Sequence, residues 1–317
     1  MPHTALPPAG SDATPRPSPD PRPAVLLLHG LCANPLEMMP LARSLREVGY
    51  VVEAPALDGY GVAPPAAAGM APDVRIHRAE RASRAVPPFE DWVRLAAAHF
   101  DALAARHGRV AVGGLSMGAV LTLALALERP AAALMLLSTS LHFDGWNVSP
   151  WRRLLPLAYV PPLRQWLSFR ETPPYGIKNE RLREWVAQAM NANQVSAAGA
   201  DRLPAASLHQ ASRLIRHVRR RMHEIDAPAV VLHASEDDVS GPRSVLELQR
   251  RLGTTPEVHW FHHSYHMLTL DNERGAVTQA ARQFLLRQVP VAAPAERFSS
   301  PFPSLTSTED LRHEHHA

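Results

Sequence analysis

The sequence predicts an α/β fold in which a mostly parallel central sheet is flanked by helices. Four continuous apolar runs, at 25–28, 110–112, 134–137 and 229–232, are typical of strands that are buried on both faces of such a sheet. Stretches with helical spacing of apolar residues lie between these runs. The chain has 317 residues, of which 46% are hydrophobic, so it is long enough for one large domain of this class.

The second apolar run leads into Gly114-Leu115-Ser116-Met117-Gly118, and a helical stretch follows up to Glu128-Arg129-Pro130. A serine that points out of a sharp strand-to-helix turn needs small residues two positions to either side, because larger side chains would collide with the strand and the helix. We interpret the pattern as a nucleophile elbow centred on Ser116. A serine in an ordinary tight turn is the alternative.

A serine nucleophile requires a histidine base and a carboxylate that orients it, because the hydroxyl alone is weakly nucleophilic at neutral pH. In hydrolases with such an elbow, the acid and then the histidine follow the serine along the chain. The apolar run 229–234 leads into Ser235-Glu236-Asp237-Asp238. In parallel sheets, catalytic and ligand-binding residues lie in the loops at the carboxyl ends of the strands, and this segment is such a loop. We choose Asp237 as the acid. Glu236 and Asp238 are the structural alternatives and are expected to be solvated turn residues.

Four histidines accompany the last predicted strand, 258–261: His259, His262, His263 and His266. The last three are clustered as metal ligands often are, but a metal site would also need converging carboxylates or cysteines, which spacing alone does not supply. His266 lies in the loop that follows the strand. The residues by themselves leave the choice of base open.

The segment from Ser264 to Asp271, S-Y-H-M-L-T-L-D, resembles the S-G-H-x-x-T-L-D segment of bacterial carboxylesterases of the α/β-hydrolase fold, a family related to thermostable esterases and monoacylglycerol lipases. In that family the histidine of this segment is the base of the catalytic triad. A similar acid loop places the triad carboxylate at the position of Asp237. The resemblance therefore implies a triad of Ser116, Asp237 and His266.

The resemblance extends to the N-terminal part of the chain. Residues 25–31 are similar to the family's first strand and the oxyanion loop that follows it. By position, the resemblance implies that the backbone N–H groups of Leu31 and Met117 form the oxyanion hole. The stretches 53–61 and 89–92 also match, although Tyr60 stands where the family usually has histidine and Ala119 where a second glycine is frequent. The resemblance covers about Pro23 to Val289.

The activity that the resemblance implies is hydrolysis of carboxylic esters, with short to medium acyl chains or monoacylglycerols, through an acyl-enzyme on Ser116. The substrate would be a small molecule, and neither a cofactor nor a metal is expected. An acyltransferase or thioesterase could use the same triad, because an acyl-enzyme can be passed to an alcohol or formed from a thioester. A non-catalytic binding module has no chemical reason to keep all three triad residues.

A helical cap is predicted at 140–226, inserted before the acid strand, because 180–194 and 205–222 carry apolar residues at helical spacing. It would divide the core into 23–139 and 227–290. The proline-rich segment 1–22 and the tail 291–317 are expected to be disordered, and an Ala/Pro/Arg-rich insertion lies around 63–88. We expect the large apolar cap residues either to line an acyl pocket over Ser116 or to form the cap's own core: Trp146, Trp151, Leu154, Leu155, Tyr159, Trp166 and Phe169.

Composition excludes several other classes. A formal net charge of only +3 and the lack of interleaved basic and aromatic residues argue against a nucleic-acid partner, and the arginines at 213–221 are expected to form a solvated face. The amino end has no apolar segment of the kind found in signal peptides and no stretch approaches the length of a membrane span, so a cytoplasmic protein without integral membrane association is expected. The single cysteine, Cys32, excludes an internal disulfide and is expected to be a silent buried thiol; the alternative is that thiol reagents block the site there, since Cys32 follows Leu31.

Overall fold

The computed structural model describes residues 20, 22–62, 86–193, 195–196 and 199–291. The predictions of disorder at 1–22 and 291–317 fall almost entirely outside these residues. Most of the insertion around 63–88 also lies outside them.

The described residues form strands, α-helices and three short 3-10 turns. The strands are β1 (Ala24–Leu28), β2 (Val51–Glu53), β3 (Val110–Leu115), β4 (Leu134–Leu137), β5 (Ser168–Arg170), β6 (Val195–Ser196), β7 (Gly199–Ala200), β8 (Arg202–Pro204), β9 (Ala229–Ala234) and β10 (Glu257–Phe261). The α-helices are α1 (Met39–Glu47), α2 (Phe89–His107), α3 (Met117–Ala126), α4 (Leu155–Ala158), α5 (Leu163–Trp166), α6 (Glu180–Asn193), α7 (Ala205–Arg221), α8 (Arg243–Arg251) and α9 (Arg274–Gln288). The 3-10 turns are Pro35–Met38, Pro150–Leu154 and Met222–Glu224.

The central sheet has six strands in the order β10-β9-β4-β3-β1-β2, and all neighbouring pairs are parallel. Every residue of β1, β3, β4 and β9 is buried, as expected for strands covered on both faces. Helices α1 and α9 pack on one face, while α2, α3, α7 and α8 pack on the other. The predicted α/β class with a parallel sheet flanked by helices is confirmed.

The carboxyl ends of the strands bring the candidate residues to one edge of the sheet. His29 follows β1, Ser116 follows β3, Asp237 follows β9, and His266 lies in the loop after β10. Parallel sheets of this kind bind ligands at that edge. The order of the strands therefore juxtaposes side chains that are up to 237 residues apart in the sequence.

The segment 140–226 contains helices α4 to α7 and two short antiparallel ribbons, β5 with β8 and β6 with β7. Helix α7 is partly a core element, because Ala211, Leu214, Ile215 and Val218 are buried in the same cluster as α2 and α3. In α6, Val186 is buried as the helical pattern predicts, whereas Trp185, expected on the same face, is 53% exposed. The cap boundaries at 140 and 226 remain a prediction.

The large apolar residues of the cap follow neither expectation as a group. Leu155 and Tyr159 line the cavity over Ser116. The other five are exposed, most of all Trp151 at 76% and Trp166 at 75% of their surface. For those five, both the pocket and the cap-core predictions are wrong, because the Pro150–Leu154 turn, α5 and β5 contain no buried residue and Trp146 lies at an exposed turn position.

Candidate active site

Ser116 lies in a sharp turn between β3 and α3. Its backbone angles are φ 59° and ψ −119°, which a residue with a side chain adopts only when the surroundings impose it. A Cβ on Gly114 would lie 2.3 Å from the backbone of Gly118, and a Cβ on Gly118 would lie 2.2 Å from the carbonyl oxygen of Leu28. Both flanking glycines are therefore required by close approach of the backbone of β1 and α3 to the turn.

Asp237 and His266 form a buried pair. Nδ1 of His266 lies 2.8 Å from Oδ2 and 2.9 Å from Oδ1 of Asp237. The backbone N–H groups of Val239 and Ser240 donate to Oδ1 of Asp237 at 2.9 and 2.7 Å, which fixes the carboxylate. With Nδ1–H donating to the carboxylate, Nε2 is the ring nitrogen that can accept a proton.

The pKa values of the two groups move in opposite directions. Burial opposes ionisation of both, but the charge of His266, its hydrogen bond and the Ser240 N–H together outweigh burial and leave the pKa of Asp237 below its usual range. Conversely, burial lowers the pKa of His266, while the carboxylate of Asp237 outweighs it and leaves that pKa raised. The geometry thus favours an ionised acid beside a basic imidazole.

The Ser116 hydroxyl faces a different partner. Its Oγ lies 3.1 Å from Oγ of Ser140, which is fully buried. Within the described chain Ser116 makes no hydrogen bond with His266, although both side chains line one cavity. Such hydrogen bonds are often long in ligand-free enzymes and tighten when substrate binds.

The two acidic neighbours of Asp237 differ from each other. Glu236 is exposed and forms an ion pair with Lys178 at 2.9 Å, as a solvated turn residue can. Asp238 is buried, with its two oxygens accepting the N–H groups of His266 at 3.4 Å and Gly176 at 3.2 Å. The prediction that Asp238 is solvated is wrong, because the loop turns inward and the segment around Gly176 covers it.

Leu31 and Met117 line the same cavity as Ser116. Their backbone N–H groups donate to no other group within the described residues, so both can donate to a ligand. The loop that carries Leu31 is anchored by His29, which is fully buried and contacts the Gly30 carbonyl oxygen through Nδ1 at 2.8 Å. The hydroxyl of Tyr60, the residue that departs from the family pattern, donates to the His29 carbonyl oxygen at 3.0 Å.

Glu37 is a site residue that sequence reasoning missed. Its carboxyl is buried, lines the cavity and accepts a hydrogen bond from the Gly30 N–H. Burial raises the pKa of Glu37 to about 8. The available signal was a lone acidic residue among apolar ones, shortly after the His29-Gly30 turn.

The cavity has a volume of about 710 Å³ and is lined both by loops at the edge of the sheet and by residues of the segment 140–226. Its apolar lining includes Leu141, Phe143, Leu155, Met190 and Leu208. Such a mixture of apolar walls and a few polar groups is typical of small-molecule sites. Cys32 also lines the cavity, and burial raises the pKa of this thiol to about 11. A thiol with so high a pKa is unreactive at neutral pH, because the reactive form is the thiolate.

The histidine cluster does not form a metal site in the described part of the chain, where no three His, Cys, Asp or Glu side chains converge on one point. His262 instead contacts the hydroxyl of Ser235 at 2.9 Å through Nδ1. Among the helices whose residues are described, none combines the length and the apolar character needed to cross a membrane.

The sequence matches one family model and is similar to characterised hydrolases. The model of the Hydrolase_4 family, described as serine aminopeptidase, S33, matches residues 19–273. A carboxylesterase of Bacillus subtilis (strain 168) is 26% identical over 264 residues, which cover 83% of this chain and 92% of the relative. A thermostable monoacylglycerol lipase of Bacillus sp. (strain H-257) is 25% identical over 264 residues, covering 83% and 90%.

Among solved structures, one from a study of two metagenome-derived lipolytic enzymes superposes with a TM-score of 0.66. It is 23% identical in sequence, and the match covers 85% of this chain and 96% of the other. At this identity the likeness concerns the fold.

Proposed function

Because this chain belongs to the Hydrolase_4 family, has the α/β-hydrolase fold and is a carboxylic ester hydrolase, we propose that it works through an acyl-enzyme on Ser116. The proposed substrates are short to medium acyl esters or monoacylglycerols. The observation that carries the proposal is the buried His266–Asp237 pair, at 2.8 Å, on the cavity into which the Ser116 turn opens.

The proposed first step is attack of Ser116 Oγ on the ester carbonyl carbon. Nε2 of His266 takes the hydroxyl proton, while Asp237 holds the ring and stabilises the imidazolium. The N–H groups of Leu31 and Met117 donate to the oxyanion, and loss of one such donor costs about 10²- to 10³-fold in rate. His266 then gives its proton to the leaving alcohol as the C–O bond breaks.

The second step reverses these roles. His266 removes a proton from a water molecule, whose oxygen attacks the acyl carbon and displaces Ser116, which takes the proton back. The products are a carboxylic acid and the regenerated enzyme. An alcohol in place of water would give acyl transfer, which product analysis with an added alcohol detects. A thioester in place of the ester would give a thioesterase, which a comparison of kcat/KM for matched thioester and oxygen-ester substrates detects.

The test is hydrolysis of p-nitrophenyl esters from acetate to palmitate by wild type, Ser116→Ala and phosphonate-treated enzyme. We expect turnover with an optimum of chain length in the wild type only. Wild-type turnover by folded Ser116→Ala would contradict the proposal.

A further inference from the structure

Four arginines line the cavity that contains Ser116 and His266: Arg152, Arg153, Arg170 and Arg216. All four belong to the cap side, on the Pro150–Leu154 turn, on β5 and on α7. Their guanidinium groups form no ion pair and no hydrogen bond with any other described residue. They are therefore available to a ligand that enters the cavity.

Three other arginines of α7 show the contrast. Arg213 pairs with Glu90 at 2.7 Å, Arg219 with Glu247 at 2.8 Å, and Arg221 with Glu224 at 2.7 Å. These three do not line the cavity. On this helix, two arginines are left without a carboxylate in the described chain: Arg216, which lines the cavity, and Arg220, which does not.

The carboxyls of the cavity do not neutralise these arginines. Glu37 and Asp238 are buried and are engaged by backbone N–H groups. Glu171 lines the cavity as well, and burial, with the nearby Asp238, raises its pKa. None of the three forms an ion pair with an arginine in the described chain. The cavity wall therefore contains both acids and arginines, including the adjacent Arg170 and Glu171, but no ion pair joins them in the described chain.

The surrounding cap reinforces the positive field. Residues 145–170 contain four arginines and no acidic residue. The hydroxyl oxygens of Tyr159 and Ser212 lie 3.2 Å apart, and both residues line the cavity on the same side as Arg216. The Ser212 hydroxyl donates to the Leu208 carbonyl oxygen at 2.9 Å, so the free donors on this side are the guanidinium groups, which bind carboxylates and phosphates.

We propose that the substrates are esters that carry an anionic group, a carboxylate or a phosphate, separated from the scissile carbonyl by an apolar segment. With the carbonyl carbon at Ser116, the apolar segment would lie against walls such as Leu155 and Leu208, and the anion would meet the arginines. This inference rests on the proposed function and specifies its substrate class.

The test compares matched neutral and anionic esters as dissolved monomers, so that binding to a lipid surface does not contribute. For an anion on the acyl side, the pair is the p-nitrophenyl half-ester of suberic acid and its terminal carboxamide. For an anion on the alcohol side, the pair is octanoylglycerol phosphate and octanoylglycerol. We expect the anionic member of one pair to have a kcat/KM about tenfold higher or more, mostly through KM, and to lose this advantage at high salt.

The variants identify the arginines responsible. Arg216→Gln, and the double variant Arg152→Gln/Arg216→Gln, should each lower the anionic-to-neutral ratio of kcat/KM, the double variant by about tenfold. Arg220→Gln is the matched control, because Arg220 is an exposed arginine of the same helix that does not line the cavity. It should leave the ratio unchanged.

Two results would overturn the inference. One is equal kcat/KM for the anionic and neutral members of both pairs. The other is an equal loss of preference in Arg220→Gln and Arg216→Gln, which would indicate a general surface charge effect. Either could occur while neutral esters are hydrolysed in a Ser116-dependent manner, so failure of this inference is distinct from failure of the proposed function.

Discussion

The hydroxyl of Ser116 lies 3.1 Å from the hydroxyl of Ser140, whereas His266 is held by Asp237 at 2.8 Å. Ser140 belongs to the loop after β4 and is fully buried, so it positions the Ser116 side chain from the core. The proposed nucleophile and the proposed base are thus each held by a separate partner in one cavity. A ligand in the cavity is expected to bring the two together.

Asp237→Asn is predicted to lower kcat by about 10³- to 10⁴-fold, because the amide cannot stabilise the imidazolium and favours the wrong ring tautomer. Asp238→Asn is the matched control on the adjacent residue. It should cost about tenfold or less, because Asp238 contacts the backbone N–H of His266 and not its ring. Steady-state kinetics with p-nitrophenyl butyrate measure both. Equal losses would refute the choice of Asp237.

Asp238→Asn is also predicted to change the pH profile. Burial lowers the pKa of His266, but the charge and the hydrogen bond of Asp237, with the charge of Asp238, outweigh this and raise it. Since the reaction needs neutral His266, kcat/KM rises as pH increases through that pKa. Removing the charge of Asp238 should move this acidic limb to lower pH, by roughly one unit or less. A limb that moves upward or stays in place would contradict the assignment.

Glu37→Gln is predicted to flatten the pH dependence of stability. Burial raises the pKa of Glu37 in the folded protein from 4.5 to about 8, so the protonated carboxyl stabilises the fold below 4.5 and this contribution is lost as pH rises through 8. Glutamine imitates the protonated form. Between pH 5.5 and 8.5 the variant should therefore lose less unfolding free energy than the wild type, by about 1 kcal/mol or more.

Urea unfolding at the two pH values measures this difference. Glu47→Gln, at an exposed position at the end of α1, is the control and should behave like the wild type. A Glu37→Gln variant with the same pH dependence as the wild type would show that Glu37 does not titrate as described.

Gly118→Ala is predicted to destabilise the protein by roughly 3 kcal/mol or more, because the added Cβ would lie 2.2 Å from the Leu28 carbonyl oxygen and 2.5 Å from that of His29. Gly275→Ala serves as the control. Its Cβ would meet no atom within 4 Å, and alanine in a helix is favoured over glycine by about 1 kcal/mol, so this variant should be neutral or slightly more stable. Equal stability of the two variants would refute the packing of the turn.

The parts of the fold that the sequence predicts are those with a strong local signal. The apolar runs at 134–137 and 229–234 coincide with β4 and β9. The elbow is recognisable in the sequence because a side chain at Gly114 or Gly118 would collide with the neighbouring backbone, so both positions must be glycine. The short edge strand β2 and helix α8 have weaker patterns and were not predicted.

Features that depend on tertiary contacts were harder to predict. Burial of Asp238 arises from the segment around Gly176, which is distant in the sequence. The role of Glu37 depends on a hydrogen bond from Gly30, which the chain makes only when the loop folds back. The exposure of Trp151 and Trp166 contradicts the rule that large apolar residues are buried, so a pattern based on that rule places them wrongly.

The most direct test of the central claim is covalent labelling with an alkyl p-nitrophenyl phosphonate, followed by mass spectrometry of the digested protein. We predict one adduct per chain, on the peptide that contains Ser116, in the wild type and in Ser140→Ala, and no adduct in Ser116→Ala. An adduct on another residue, or labelling that persists in folded Ser116→Ala, would contradict an acyl-enzyme on Ser116.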